Sequence, residues 1–269
     1  MKNSCERGFT LMEILVVTVL GTLLAVSTFR IINLTQRIHT TQAAQVQGQQ
    51  ALRAGLAILY SELRELSPSD GDLLAMSTDS ISFRAMRQVG YVCASDYSTN
   101  PPHFTLRRTG RWLGVGDSIV ALADNDPTRA LDDRWITGRV TSADTTVSCS
   151  GLDRAQEVYL EGLSTSDTIR TGAMVRSYAA FTYGLFEFDG QPFLGRRSAG
   201  ASPQPLVGPL RGKSEGGLAF TYLDANNAVT LVGSEVAQIQ VELRTASRIL
   251  GTDGTPVSDS IETRIYLRN

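Results

Sequence analysis

The chain has 269 residues, 42% apolar and 19% charged, with a formal net charge of −2. This is the composition of an ordinary globular protein with one apolar addition, long enough for one large domain or two small ones. It gives no global electrostatic case for nucleic-acid binding, and two histidines without a Cys-x-x-Cys pair leave no persuasive catalytic triad or zinc site.

The first element is an apolar run from Phe9 to Phe29, interrupted by Glu13 and a few hydroxyl residues. At about 1.5 Å per residue it spans roughly 30 Å, the thickness of a bilayer's hydrocarbon core. Lys2 and Arg7 precede it and Arg30 and Arg37 follow, so the flanking charge does not set an orientation. An ionised carboxylate at bilayer depth costs about 2.5–3.5 kcal/mol on insertion scales, so Glu13 demands a partner. Three readings compete. A secretory signal peptide would use Ala25-Val26-Ser27 as its cleavage site, but a carboxylate spoils its apolar centre. A plain single-span anchor leaves Glu13 unexplained.

The third reading rests on the stretch RGFTLMEILVVTVL, which resembles the N-terminus of type IV prepilins and type II secretion pseudopilins. In that family a short charged leader ends in glycine, phenylalanine usually follows, and glutamate stands at the fifth mature position. The matching residues here are Met1 to Gly8, Phe9 and Glu13. The resemblance implies cleavage between Gly8 and Phe9 by a prepilin peptidase on the cytoplasmic side, then methylation of the new Phe9 amine. Glu13 would pair with that amine in a neighbouring subunit, each charge offsetting the other's burial. Cutting after Gly8 removes Cys5 and leaves Cys93 and Cys149, a pair that in an exported domain suits a disulfide. The alternative is two reduced, buried thiols.

Beyond Arg30 the helical period continues. Leu52, Leu56, Leu59, Leu63 and Leu66 are spaced 4, 3, 4 and 3 and form one stripe, with glutamines and arginines between them. Ser67-Pro68 and Asp70-Gly71 end the helix, predicting one span from about Thr10 to Leu66. Gly21, Gly48 and Gly55 are weak points in it, and Gly21 is a candidate for local unwinding in a filament.

The rest reads as strands. Residues 80–86 alternate; 104–115 read as a hairpin about Thr109-Gly110; strands follow near 117–124, 134–143, 145–149 and 157–163. Residues 179–197 turn at Asp189-Gly190, and 217–232 turn around Asp224–Asn227. Near the C-terminus, Ile239, Val241 and Leu243 share one face, as do Ile261, Ile265 and Leu267, predicting an antiparallel pair. With no βαβ rhythm, the fold class is α+β, a long N-terminal helix on an antiparallel β-sheet head. Residues 217–229, 236–244 and 265–269 also resemble the C-terminal part of PilW-like minor pilins and the J-type pseudopilin, the large, low-copy members of the family.

The expected organisation is a leader at 1–8, a membrane and assembly half-helix at 9–30, an amphipathic half-helix at 31–67, and a head at 68–269 with an expanded insertion at about 83–177. The resemblance implies a non-enzymatic filament subunit held in the bacterial inner membrane with its head outside the cytoplasm. Its partners would be the peptidase, other pilins and the assembly platform. A tip adhesin or DNA-uptake module is the alternative, and a membrane-anchored enzyme the remote one. Arg84, Arg87, Arg107, Arg108 and Arg111 near Phe104 and Trp112 are a candidate single-stranded DNA surface, read more simply as exposed arginines on a hairpin. Asp124, Asp126, Asp132 and Asp133 are weak calcium candidates without EF-hand spacing, otherwise a solvated acidic loop. Gly212-Lys-Ser-Glu-Gly216 fits G-x-S-x-G but lacks the strand before and helix after that a nucleophile elbow needs. Gly208 to Ser214 falls one residue short of a P-loop. His39 belongs to the helix and His103 to a loop.

Overall fold

A computed structural model describes residues 11–108, 112–129, 132–149, 155–163, 167–251 and 254–268. Helix α1 runs from Leu11 to Leu63, 53 residues or about 80 Å. It stops three residues short of Leu66 because Ser67, which precedes Pro68, is extended (φ −113°, ψ 94°). A 3-10 turn at Pro68–Asp70 follows, closed by Gly71 at φ 79°, and the Asp72 carboxylate accepts a hydrogen bond from the Ser67 amide at 3.0 Å. Leu66 remains buried beyond the helix end.

Among the described residues twelve strands follow: β1 (Leu73–Met76), β2 (Ser80–Asp96), β3 (His103–Arg108), β4 (Ser118–Ala123), β5 (Arg134–Asp144), β6 (Ala155–Glu161), β7 (Met174–Phe188), β8 (Gln191–Ser198), β9 (Gln204–Val207), β10 (Leu218–Leu223), β11 (Gln238–Leu250) and β12 (Pro256–Tyr266). They form two antiparallel sheets, one in the order β1-β2-β3-β6-β5-β4-β7-β8-β9 and one in the order β10-β11-β12. The architecture is α+β, a long N-terminal helix on a β-rich head.

The larger sheet closes on itself, because β2 also pairs with β7. The path β2-β3-β6-β5-β4-β7 returns to β2 and makes a six-stranded barrel. Its interior is Val92, Phe104, Leu106, Ile119, Ala121, Ile136, Val140, Val158, Leu160 and Val175. The other halves of β2 and β7 leave the barrel as a flat sheet with β1, β8 and β9. That flat part, the three-stranded sheet and α1 enclose a second core. Leu52, Leu59, Leu63 and Leu66 meet Phe83, Tyr183, Leu194, Phe220, Ile239, Val241 and Leu243 there. The leucine stripe is therefore the buried face of the helix, as its spacing predicts.

The Asp189-Gly190 hairpin forms as read, with both residues at positive φ (50° and 69°), the conformation of a two-residue primed turn. The C-terminal pair also forms, with Ile239 opposite Ile265 and Leu243 opposite Ile261. Beyond β3 the expected turn at Thr109-Gly110 lies outside the described residues; residues 112–115 after it form no strand, and β3 pairs with β2 and β6. At Leu113 the buried Gln156 side chain takes the place of a neighbouring strand, accepting from the Leu113 amide (2.9 Å) and donating to its carbonyl (2.6 Å). At Asp224 the expected turn forms: its carboxylate caps the Asn226 and Ala228 amides, Val229 bridges back to Leu223 and the Thr230 amide donates to the Tyr222 carbonyl, although no further strand is built on that return. Residues 145–149 form no strand among the twelve, and His103 opens β3 instead of lying in a loop.

Candidate functional site

Every residue of α1 from Leu11 to Thr40 is exposed, including the large apolar side chains from Leu11 to Ile38. Among the described residues α1 is the one helix long and apolar enough to cross a membrane. Its hydroxyl groups are satisfied within the helix: Thr18 donates to the Leu15 carbonyl, Thr22 to Val19, Ser27 to Leu23, Thr28 to Leu24 and Thr35 to Ile31, all within 2.8–2.9 Å. Glu13 is then the single ionisable group between Leu11 and Phe29. It stands in the first turn of α1, where the amide dipoles favour a carboxylate. Gly8 and Phe9, the expected cleavage and methylation positions, lie outside the described residues. The helix continues unbroken through Gly21.

In the head, Cys93 of β2 is bonded to Cys149, which follows β5, with 5.9 Å between their Cα atoms. The link crosses from one barrel strand to the segment leaving another.

The aspartates of 124–133 do not converge. Asp124 faces Arg170 (3.5 Å), Asp126 faces Arg129 (3.6 Å) and accepts from Thr128, and Asp132 accepts from the Asp126 amide at 2.7 Å. Asp133 is exposed, and no group of three or more His, Cys, Asp or Glu with metal-holding geometry occurs among the described residues. Ser214 sits in a 3-10 turn (Lys213–Glu215) ahead of β10, so no helix follows it as a nucleophile elbow requires. His103 lies 3.6 Å from Asp96 and 4.0 Å from Glu157, and its Nδ1 meets Thr99 Oγ1 at 3.0 Å.

The basic cluster read from the sequence does not assemble. Phe104 is inside the barrel, Arg87 turns to Glu62 on α1, and Arg111 and the Arg108 side chain lie outside the described residues. A different set does come together on the outer face of the large sheet: Arg84 over Tyr178, Arg176 over Trp135 and Arg197 over Phe186. The signal for it was the period-two spacing of Arg176 and Tyr178 in one strand, which needs the strand order before it has meaning.

Residues 3–29 match the family model of the prokaryotic N-terminal methylation motif. No curated protein and no solved structure matches the chain. That motif leads here into an uncovered apolar helix and an antiparallel β head.

Proposed function

We propose that the chain is a low-copy pilin or pseudopilin of a type IV pilus or a type II secretion pseudopilus. It is held in the inner membrane by α1 with its head outside the cytoplasm. Prepilin peptidase cuts it between Gly8 and Phe9, the Phe9 amine is methylated, and the subunit enters the filament by burying the first half of α1 among the helices of its neighbours. The observation that carries this reading is the division of α1. Residues 11–40 are exposed throughout, whereas Leu52, Leu59 and Leu63 are sealed in the head core. A continuous apolar helix left bare by its own domain needs lipid first and other helices later. The inserted barrel supports a low-copy position, because it adds bulk beside the helix-bearing core that a densely repeated shaft subunit would have to accommodate at every step.

The deciding measurement is the intact mass and first residue of the protein purified from its host under non-reducing conditions. The expected product begins at Phe9, carries one methyl group and has lost two hydrogens at Cys93 and Cys149. A chain beginning at Met1 or at Thr28 would refute the reading.

A further inference from the structure

The outer face of the large sheet carries a row of guanidinium–ring pairs that the filament reading does not use. The register fixes which side chains share it. Arg84 stands opposite Ala180, and Arg197 opposite Thr182. Arg176 and Tyr178 precede them on β7, and Val120 opposite Arg176 places Trp135 on the same side through Leu122. Residues with the opposite parity, Phe83, Phe181 and Tyr183, point into the core beside α1. The guanidinium carbons lie 5.2 Å (Arg84–Tyr178), 4.7 Å (Arg176–Trp135) and 5.6 Å (Arg197–Phe186) from the ring centres.

Among the described residues, no carboxylate stands at ion-pair distance from these three arginines. The buried Asp72 feels Arg84 and Arg176 only at longer range, and its carboxyl is pushed above the usual range chiefly by burial. A guanidinium stacked on a ring can turn its in-plane N–H groups to an oxyanion with its geometry fixed in advance; Arg176 gives its Nε–H to Met174 Sδ (3.1 Å), so its terminal nitrogens would serve. Beside Arg197 lies a shallow groove of about 400 Å³, lined by Ser82, Ala180 and Thr182 on one side and by Ser198 to Ala201 on the other. From Arg176 to Thr182 the row extends about 20 Å along β7, at roughly 3.3 Å per residue.

We propose that this face binds single-stranded nucleic acid, with phosphates on Arg84, Arg176 and Arg197 and bases stacked against the open sides of the guanidinium–ring pairs. Cations alternating with aromatic rings on an open sheet face are the physical requirements for such a strand: charge tracks the backbone, and every base has a π-face to stack. A duplex hides those faces and finds here no helix or ribbon to enter its groove. A polyanion without bases would use the arginines and leave the rings idle. The proposal is independent of filament assembly, since it concerns the head of a single subunit.

The test uses the full chain in detergent and a fluorescent oligo(dT) 15-mer, followed by anisotropy across a salt series. Three phosphate contacts to a single strand give a log–log salt slope of about −2. The R84Q/R176Q/R197Q variant is expected to lose about tenfold or more in affinity at low salt and most of that slope, while R53Q, on the exposed side of α1, changes neither. A second measurement leaves the face intact: in W112F the emission of Trp135 reports the site alone, and it is expected to be quenched by oligo(dT) and not by inorganic polyphosphate. Absence of oligo(dT) binding, binding unchanged in the triple variant, or equal binding of polyphosphate or duplex DNA would each overturn the assignment.

Discussion

Arg87 reaches from β2 to Glu62 on the last turns of α1, with Nη2 3.1 Å from Oε2 and a second nitrogen on the same carboxylate. It does so from the bulge between Met86 and Gln88, the point at which β2 passes from the flat sheet into the barrel. Its guanidinium also covers Phe181 at 4.7 Å, and Arg196 covers the same ring at 4.9 Å. The bulge turns this side chain toward the helix, so one residue ties α1, the flat sheet and the mouth of the barrel together.

Arg87→Ala is therefore expected to destabilise the head by about 1–2 kcal/mol, the sum of a two-pronged, partly exposed ion pair and a guanidinium–ring contact. Glu62→Gln retains one hydrogen bond and the ring contact and is expected to cost less than about 1 kcal/mol. Denaturant melts of the two variants, followed by near-UV circular dichroism, check the order.

The Cys93–Cys149 bond spans a sequence separation of 56. In the chain-entropy model a loop of that size contributes about 4 kcal/mol, and measured bonds commonly fall at 2–4 kcal/mol. Both ends lie on the barrel, whereas the leucine stripe of α1 packs in the other core. Reduction, or Cys93→Ser with Cys149→Ser, is expected to lower the barrel's melting transition and leave the α1 core protected in hydrogen exchange. A single shared loss of protection across both cores would contradict the separation.

How far this was legible in the sequence varies by element, for identifiable reasons. The leucine stripe, the Asp189-Gly190 turn and the alternation of Ile239, Val241 and Leu243 are local patterns, and each formed. The barrel was hidden because its closure joins Ser80–Tyr91 to Met174–Gly184, and because β2 and β7 each serve both the barrel and the open part of the same sheet. Alternation reveals that a strand has two faces, but not that β7 turns the same face to a barrel interior at Val175 and to the helix at Tyr183. Trp112–Val115 looked like a strand because of its apolar side chains, but of these Leu113 alone joins the core, held there by an amide side chain, while Val115 is exposed. The guanidinium–ring face escaped for the same reason as the barrel, since its partners come from β2, β5, β7 and β8.

Acid sensitivity should be traceable to Asp79. This residue follows β1, receives a hydrogen bond from Ser77 Oγ at 2.8 Å, and meets Lys213 Nζ at 2.5 Å, so it links the large sheet to the loop before β10. The hydrogen bond from Lys213 is the main cause that holds its carboxyl below the usual range. A depressed folded-state value means the contribution is present above the unfolded value of about 3.9 and is lost as pH falls through the folded one. Lys213 is largely exposed, so Asp79→Asn is expected to cost no more than about 1 kcal/mol at pH 7. Once the pH has fallen below the folded-state value, the variant and the parent should converge in stability. A difference that persisted there would mean packing, not charge, is the cause.

At Gly55, α1 lies close against both sheets. A β-carbon there would lie 3.0 Å from Leu243 Cδ1, 3.5 Å from Leu194 Cδ2 and 3.6 Å from Val207 Cγ1, atoms contributed by β11, β8 and β9. Gly55→Ala gains about 1 kcal/mol of helix propensity and displaces one flexible leucine methyl, so it is expected to fall within about 1 kcal/mol of the parent. Gly55→Leu has no space and is expected to destabilise by about 2–3 kcal/mol. Equal stability of the two variants would show that the helix lifts away from the sheets at little cost.

The last prediction concerns Glu13, the single ionisable side chain on the first 19 residues of α1. If its role is to pair with a neighbour's Phe9 amine, the damage from losing it appears at assembly and not at processing. Removing the carboxylate spares one burial cost but leaves the neighbour's ammonium unpaired, at about 2.5–3.5 kcal/mol on insertion scales. Glu13→Ala is therefore expected to reach the membrane and be cut after Gly8 as the parent is, while its content in sheared filaments falls by about tenfold or more. Glu13→Gln separates charge from shape, since it keeps the length and the hydrogen-bonding end; it should fail nearly as badly if the ion pair matters. Quantitative immunoblots of membrane and filament fractions read both steps at once. Filament content at the parental level in Glu13→Ala would leave the carboxylate without the assembly role argued for it, and uncut protein in the membrane would move that role to recognition by the peptidase.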